Sequence, residues 1–475
     1  MQSQSHDFKQ RATAALRDVQ LQKAMANAKT GFIDKRRLAV QALPEFEALR
    51  TRAKEIKEHT LKYLDFYLEQ FEKQVVASGG QVHWADTAET ARHIIVKLCK
   101  DANAKVITKG KSMIGEEIAI NEALEAEQFE VVETDLGEYI IQLAKEPPSH
   151  IIAPAVHKTR EQITELFHQH HQQYGLTEKQ TERAALVNEA RQVLRKKYLI
   201  ADVGITGANF LVAETGSTVI VTNEGNGDLT NCLPRVHIVT ASIDKVIPTL
   251  EDMTTIIRLL GRSATGQEMT AYTTLTTGIK RTGDISGAEA FHVVLLDNGR
   301  SRMLGNEFHD MLRCIRCGAC LNHCPVYGSI GGHAYGWVYP GPMGSVLTPI
   351  MLGLQEAGDL PNACTLNGRC QQVCPMSIPL PTMLRHHRIR QYKQGLVHGR
   401  ARWALTLWAF FAKHPRLYHA GTAIKAKILR FFGKKHGYFQ QLPFASAWTV
   451  SRDMPAPQGE TFMSHWKRLQ KGFNQ

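Results

Sequence analysis

Seven of the nine cysteines lie between residues 314 and 374. An even spread would place about one cysteine in a window of that length. Four of them follow the pattern C-x2-C-x2-C-x3-C-P, and they are Cys314, Cys317, Cys320 and Cys324, before Pro325. With this spacing three thiolates hold three irons of one cubane, while the fourth points towards a second cluster. Structural zinc usually takes two C-x2-C pairs separated by a longer loop, so the pattern predicts an iron-sulfur cluster.

A second motif has the same outer spacing, with Asn367 where the second cysteine is expected. Crossed ligation, as in two-cluster ferredoxins, predicts two ligand sets. The first set is Cys314, Cys317, Cys320 and Cys374; the second is Cys364, Cys370 and Cys324, with Asn367 in the fourth position. Amide oxygen is a harder ligand than thiolate. We therefore predict one 4Fe-4S cluster and a second centre that is either 3Fe-4S or 4Fe-4S with a non-cysteine ligand. The alternative is that His323 or His333 completes an ordinary cluster.

Length and composition set the frame for these motifs. A chain of 475 residues suggests about three domains, and 43% hydrophobic residues can form real cores. The sequence contains no run of about 18 apolar residues, so no membrane-spanning helix is predicted. The first residues lack an apolar signal core, so we expect a cytoplasmic protein. Cysteines in that compartment favour metal binding over disulfides, and the isolated Cys99 and Cys232 are expected to be inert buried thiols.

Four segments differ in pattern. Residues 1–78 are predicted to form a helical N-terminal arm, with Leu64, Leu68, Phe71 and Val75 on one face. Residues 79–298 are predicted to form an α/β domain, because short β-rich runs alternate with helices. The predicted strands are 105–108, 129–133, 150–154, 209–214, 217–222, 236–241 and 292–296, with a helical insert at about 157–198. A small, mostly helical ferredoxin-like domain is expected over 299–390, and a basic C-terminal region over 391–475.

Three loops of the α/β region invite a binding role. Residues 109–112, Lys-Gly-Lys-Ser, lie between a strand and a helix, where backbone amides can hold an anion. The glycine that a Walker loop needs falls on Lys105, so nucleotide triphosphate hydrolysis is excluded. Residues 214–217 and 223–228 are polar turns, and hairpin geometry explains both of them adequately.

The segments KGKSMIGEEIAINEAL, ADVGITGANFLVAETGSTVIVTNEGNGD and PRVHIVTA resemble the α/β domain of lactate-utilisation proteins. The module CIRCGACLNHCPVYGSIGGHAYG, followed by YPGPMGSVLTP and a motif ending CPMSIPLP, resembles the iron-sulfur subunit of that system, the LutB type. The resemblance implies a fold like that of sugar-phosphate isomerases and CoA-transferases. It also implies electron transfer in a complex that oxidises L-lactate to pyruvate without NAD, with a cysteine-rich subunit and a second α/β subunit as partners. It identifies no catalytic residue.

The C-terminal region is strongly basic. From Pro375 onward 17 Lys and Arg residues stand against Asp453 and Glu460, whereas the preceding chain is slightly acidic. Residues 403–411 are apolar and aromatic but too short to span a bilayer. We expect core packing or partner contact there, with peripheral membrane contact as the alternative. No recognised basic-aromatic module is present, so nucleic-acid binding is not expected. We expect docking to a partner through Lys425, Lys427, Lys434 and Lys435.

Two other functions stay open on the sequence. The chain could serve a different dehydrogenase, of the glycolate or glycerol-phosphate type, since paired ferredoxin motifs occur there too. It could instead be a stand-alone isomerase or CoA-transferase-like enzyme with structural clusters. No G-x-G-x-x-G fingerprint stands at a strand-helix junction, which disfavours bound NAD.

Overall fold

A computed structural model describes residues 3–433, 436–442, 449 and 452–473. The chain divides into two units, Met1–Arg390 and Gln391–Gln475. The first unit contains all seven clustered cysteines and both sheets that belong to the α/β region. The predicted boundaries at residues 79 and 299 lie inside this unit and stay predictions.

The α/β region is built on a six-stranded parallel sheet with the order β1-β10-β7-β4-β2-β3. Its strands are β1 Gln81–Ala85, β2 Val106–Lys109, β3 Glu130–Glu133, β4 Val203–Gly207, β7 Val236–Ser242 and β10 Ala290–Leu296. The central strands are rich in β-branched residues and buried on both faces, as parallel strands covered by helices must be. A mixed α/β domain with a parallel sheet is therefore present, as the sequence predicted.

A smaller four-stranded sheet has the order β8-β5-β6-β9. Its strands are β5 Phe210–Val212, β6 Ser217–Thr222, β8 Val246–Ile247 and β9 Tyr272–Thr276. The turn at 214–217 joins the antiparallel pair β5 and β6, as predicted. The loop at 223–228 is not a hairpin turn, because a helix begins at Asn226.

Helices cover the sheets and form the N-terminal arm. Those that precede the cysteine motifs are α1 Phe8–Arg17, α2 Val19–Gln41, α3 Phe46–Lys62, α4 Leu64–Ala77, α5 Ala88–Asp101, α6 Met113–Glu117, α7 Ile120–Ala126, α8 Leu136–Ala144, α9 Arg160–His171, α10 Arg183–Ile200, α11 Asn226–Cys232 and α12 Leu250–Ala264. The four apolar residues predicted to share one face of α4 are all buried. The predicted insert at 157–198 contains α9 and α10.

The predicted strand at 150–154 is wrong. His150 is buried, and its Nδ1 accepts hydrogen bonds from the backbone amides of Ile152 and Ala153, which bends the chain into a turn. This turn packs on Gly318, whose φ of +74° favours glycine and whose missing Cβ would lie 3.0 Å from the Ile152 side chain. An apolar run therefore serves as packing for the first cysteine motif.

The cysteine region consists of short helices joined by turns. They are α13 Ala319–Asn322, α14 Tyr327–Ile330, α15 Gly341–Met351, α16 Leu354–Ala357, α17 Arg369–Val373 and α18 Leu380–Lys393. One hydrophobic core joins this region to residues of α2, α3 and α12. The N-terminal arm is thus part of the packing around the cysteines.

The second unit contains α19 Gly399–Lys413, α20 Pro415–Gly433 and α21 Phe462–Phe473, with a short hairpin of β11 Tyr438–Phe439 and β12 Met454–Pro455. The α19 side chains Trp403 and Trp408 are exposed, so the expectation of core packing is wrong for them. Lys425 and Lys427 lie on α20, whereas Lys434, Lys435 and Trp448 lie outside the described residues. Among the helices described, none is both long and apolar enough to cross a membrane.

A buried ionic network joins the α/β region to the cysteine region. Arg300 donates two hydrogen bonds to Glu117 of α6, at 2.9 and 2.6 Å, and its Nε lies 3.1 Å from Asp244. The Tyr339 hydroxyl donates to Glu117 at 2.5 Å. Burial alone would raise the Glu117 pKa, but Arg300 and Tyr339 outweigh it and hold that pKa below its ordinary value. Likewise, Arg300 and Lys245 outweigh burial and lower the pKa of Asp244 to about 2.

We predict that Glu117→Gln lowers the unfolding free energy by about 3–5 kcal/mol, because it leaves a buried arginine charge without its main partner. The difference from the wild type should shrink as the pH falls below about 4.5. A carboxyl with a depressed folded-state pKa contributes stability above its unfolded pKa and loses that stability in acid. Guanidinium unfolding of both proteins at several pH values measures this difference.

The control is Glu130→Gln, because Glu130 forms a half-exposed ion pair with Lys197. That change should cost less than about 1 kcal/mol. Equal midpoints for wild type and Glu117→Gln would contradict the role given to the network.

Candidate iron-sulfur centres

Four thiols of the two motifs lie around one small cavity. Its cysteines are Cys314, Cys317, Cys320 and Cys374. The other lining residues are apolar or backbone, apart from Arg316, and Met311, Met343 and Met376 are among them. Soft thiolates around a void in an apolar shell are the donor set that iron-sulfur clusters take. These four residues are the predicted first ligand set.

The other three cysteines form a second group. Cys324, Cys364 and Cys370 each lie close enough to influence the others electrostatically. The Sγ of Cys364 accepts a hydrogen bond from the Leu366 amide at 3.3 Å, and the Sγ of Cys324 accepts one from the Tyr327 amide at 3.5 Å. These residues are the predicted second set. The assignment of ligands to two clusters stays a prediction.

Burial sets the protonation of these thiols in the absence of iron. It raises the pKa of Cys317 to about 12, with Cys374 adding to the effect, and it raises the pKa of Cys370 to about 12, with Cys364 adding to the effect. Iron binding therefore has to displace protons from these thiols, which couples cluster insertion to pH.

The two motifs share one backbone conformation. In the first, Arg316 and Gly318 have positive φ of 58° and 74°; in the second, Leu366 and Gly368 have 57° and 79°. A helix then begins in each motif, α13 at Ala319 and α17 at Arg369. The position of Asn367 in the second loop is thus that of Cys317 in the first.

Asn367 nevertheless differs from Cys317 in its surroundings. Cys317 is buried, whereas the Asn367 side chain is exposed. Its Oδ1 accepts a hydrogen bond from the Arg369 amide at 3.0 Å. In the first loop, the Ala319 amide donates to the Cys317 thiol in the same way. The amide side chain therefore takes over the hydrogen bond of a ligand thiol at a position open to solvent.

Three arginines hold the ligand loops through their backbone carbonyls, a feature that the sequence analysis missed. Two come from α2 and α3, more than 300 residues before the carbonyls that they contact, so no local pattern marks them. The hydrogen bonds are Arg36 to Val373 at 2.9 Å, Arg50 to Cys374 at 2.8 Å and Arg388 to Cys364 at 2.9 Å. Their charges lie close to the ligand sets, where positive charge favours the reduced state of a cluster.

A buried tyrosine hydroxyl beside the second group has no protein partner. Tyr335 is fully buried, and its hydroxyl makes no hydrogen bond to any described residue. Burial raises its pKa well above the ordinary value, and Cys324 has the largest effect among the neighbouring groups that raise this pKa further. A buried hydroxyl without a partner is costly, so its presence fits a sulfur acceptor that a bound cluster supplies.

The two histidines considered as substitute ligands have other contacts. The Nδ1 of His323 donates to the Ala319 carbonyl at 2.9 Å. The Nε2 of His333 donates to the Pro147 carbonyl at 2.8 Å, and its ring packs on His157. His333, His157 and Glu146 form a separate cluster whose ligand atoms lie within 4.8 Å of one another. These contacts do not involve the cysteines of the second group.

A larger cavity of about 340 Å³ lies at the carboxyl ends of β2, β4 and β7. The chain leaves β2 and β4 in opposite directions along the sheet, and this is where parallel α/β sheets bind ligands. Loops 110–112 and 222–227 line it, whereas 214–217 does not. Lys109 is turned away, since it is buried in ion pairs with Glu133 and Glu116.

We predict that Tyr335→Phe lowers the reduction potential of the centre held by Cys324, Cys364 and Cys370 by on the order of tens of millivolts, because a hydrogen bond to sulfur is lost. Stability should be unchanged, since the hydroxyl has no protein acceptor. Redox titration followed by electron paramagnetic resonance measures the potential.

The matched control is Tyr327→Phe. This equally buried hydroxyl donates to the Ser149 carbonyl at 2.8 Å. Removing this hydroxyl should lower the unfolding free energy by about 1–3 kcal/mol and leave the reduction potential of the second centre unchanged. If the two variants shift the potential equally, Tyr335 has no special contact with the cluster.

Comparison with known proteins agrees with these features. Residues 68–296 match the LUD domain family, and residues 310–378 match the 4Fe-4S dicluster domain. The chain is 42% identical over 99% of its length to lactate utilization protein B of Lysinibacillus sphaericus, of which it covers 99%. It is 41% identical over 98% of its length to the uncharacterized electron transport protein YkgF of Escherichia coli, of which it covers 97%.

Among solved structures, a DUF162 family protein from Deinococcus radiodurans matches 49% of this chain and 98% of its own at 13% identity, with a TM-score of 0.28. That score supports no conclusion about the fold. The two sequence domains and the full-length relatives confirm both the iron-sulfur prediction and the resemblance to lactate-utilisation proteins. This chain belongs to the lactate utilization protein B family.

Proposed function

We propose that this chain is the electron-transfer subunit of a complex that oxidises L-lactate to pyruvate without NAD in the cytoplasm. The observation that carries the proposal is the interleaving of the two thiol groups. Helix α13 contains Cys320 of the first group and ends two residues before Cys324 of the second, and α17 contains Cys370 and is followed directly by Cys374. Each short helix therefore links both groups.

The bound clusters supply one-electron transfer, and lactate oxidation releases two electrons and two protons, so two centres in series suit the reaction. The chain's own residues exclude water from the ligands and hold the ligand loops in place. Apolar side chains exclude water from the first thiol group. Arg36 and Arg50 fix the loop that carries Cys374. The proposed ligands are Cys314, Cys317, Cys320 and Cys374 for a 4Fe-4S cluster, and Cys324, Cys364 and Cys370 for the second centre.

The family name places the relatives in a lactate-utilisation system. We propose a cysteine-rich subunit and a second α/β subunit as partners, with the basic C-terminal region as a docking surface. The exposed aromatic residues of α19 are available for such a contact or for peripheral membrane contact. For the α/β domain we propose the isomerase and CoA-transferase type of fold.

A second candidate is electron transport for another dehydrogenase. The Escherichia coli relative is named as an electron transport protein without mention of lactate. A stand-alone isomerase or CoA-transferase-like enzyme has less support, because it gives no role to two interleaved thiol groups. Redox-independent turnover by the isolated chain would favour that last function.

We predict that the purified chain alone does not oxidise L-lactate with an artificial acceptor and that it gains this activity with its partner subunits. The reason is that an iron-sulfur cluster accepts one electron at a time, so we assign the two-electron step at lactate to a partner subunit. Reduction of the clusters by L-lactate, followed by electron paramagnetic resonance of the assembled complex, measures electron entry. Full activity of the single chain, or glycolate reducing the complex faster than L-lactate, would contradict the proposal.

We predict that anaerobically prepared protein shows an oxidised-state 3Fe-4S signal, or one labile iron, in its second centre. Asn367→Cys should replace that centre by a second stable 4Fe-4S cluster, because its backbone position is that of Cys317. The added thiolate should also lower the potential of the centre. Iron counting and electron paramagnetic resonance measure both effects.

Asn367→Ala is the control and should retain the 3Fe-4S or labile centre. Two equally stable 4Fe-4S signals in the wild type, unaltered by Asn367→Ala, would refute the incomplete ligand set.

A further inference from the structure

Two cations that line the large cavity form no ion pair with any residue that the structure describes. Lys245 lines the cavity, is only 6% exposed and makes no hydrogen bond or ion pair with any residue that the structure describes. Arg316 lines the same cavity, and its buried Nη1 is without a hydrogen-bond partner among the described residues. The Arg316 guanidinium lies over the Tyr339 ring, 4.5 Å from the centroid, which fixes its position.

These two charges are costly where they lie. A buried ammonium group without a hydrogen-bonded partner is strongly unfavourable. Burial accordingly lowers the Lys245 pKa to about 8, which still leaves the side chain largely protonated at neutral pH. Asp244 is the acid that acts most strongly on Lys245, but Arg300 already pairs with Asp244 at 3.1 Å. Lys245 and Arg316 therefore leave positive charge in excess at the wall of the cavity, which has room for an anion.

We propose that Lys245 and Arg316 bind the carboxylate of a small 2-hydroxy or 2-oxo monocarboxylic acid. The proposal rests on the proposed function and deepens it, because it assigns a site for the substrate or product class to this chain. Thr206 and Thr240 line the same cavity, and hydrogen bonds of their hydroxyls with His237 and Ser112 fix this part of the wall.

Two acids that line the same cavity favour a monoanion as the ligand. They are Asp135 and Glu224, and Glu224 interacts with Asp135 and with Lys111. A polyphosphate or a dicarboxylate that extended along the cavity would meet these two acids. A small acid whose single charge lies between Lys245 and Arg316 avoids them.

The site adjoins the first ligand set. Arg316 follows Cys314 by two residues, and both Arg316 and Ile151 line the large cavity as well as the small cavity among the four thiols. An anion held by Arg316 is thus separated from the first ligand set by one side chain. This arrangement would expose the first centre, and not the second, to the charge of the bound acid.

Isothermal titration of the anaerobically purified full chain with pyruvate and with L-lactate tests the site. Lys245→Met should weaken binding by on the order of 10- to 100-fold, because a charge-assisted hydrogen bond is lost. Lys245→Arg should retain binding within a few-fold. Lys111→Met removes a different lining cation, which already donates a hydrogen bond to the Ile152 carbonyl, and should change binding little.

Thermal unfolding separates binding from a structural role. Lys245→Met should melt close to the wild-type temperature, because Arg300 still pairs with Asp244 at 3.1 Å when the lysine charge is removed. Acetate and inorganic phosphate are the comparison ligands. Acetate should bind more weakly than pyruvate. Phosphate binding more tightly than pyruvate would overturn the carboxylate assignment.

No binding of either acid, or unchanged binding in Lys245→Met, would also overturn the inference. The proposed function is tested separately by the reduction of clusters in the assembled complex. A complex that L-lactate reduces, with a chain that binds neither acid, would leave electron transfer standing and remove this site. If the chain binds these acids but lactate does not reduce the complex, the binding site would stand and the proposed electron transfer from lactate would be wrong.

Discussion

The buried pairing of Arg300 with Glu117 is the constraint on which the functional arrangement depends. Arg300 follows the last strand of the parallel sheet, and Glu117 lies on the helix that follows β2. Tyr339, from the cysteine region, donates to the same carboxylate and packs under Arg316. One pair of charges therefore fixes the α/β region, the first cysteine motif and part of the cavity wall against one another. A buried ion pair is stable only in a narrow range of geometries, so the pairing fixes the relative positions of these elements as well as stabilising the fold.

Charge also explains why so many cations surround the cysteines. Thiolate ligands and their irons form centres of net negative charge, and buried negative charge requires nearby donors or cations. Arg36, Arg50 and Arg388 meet the loop carbonyls, and Tyr335 offers a hydroxyl beside the second group. Arg316 and Lys245 interact with Cys314 of the first group, and both of them line the large cavity. The same positive charges can therefore stabilise the ligand sets and attract an anion.

The sequence was informative where chemistry is local. Cysteine spacing marked both motifs, and the position of Asn367 followed from counting alone. Runs such as 217–222 predicted strands because β-branched residues are dense there. Strand β1 was not among the predicted strands, since an edge strand of mixed polarity gives a weak pattern. Residues 150–154 have the composition of a strand, yet a buried histidine that accepts two backbone hydrogen bonds bends them into a turn. The sequence analysis did not single out Lys245, Arg316 or Tyr335. What marks these residues is that polar side-chain atoms are buried without a hydrogen-bond partner among the described residues, and only the folded structure shows this.

The central claim is that the cavity and the first thiol group act as one unit through Arg316. The most direct measurement is pulsed electron paramagnetic resonance of the reduced chain with pyruvate labelled with ¹³C at the carboxylate. The account predicts a ¹³C hyperfine coupling in the signal of the first centre, none in that of the second, and loss of the coupling in Lys245→Met. Bound pyruvate that couples to neither centre, or a coupling that persists in Lys245→Met, would contradict it.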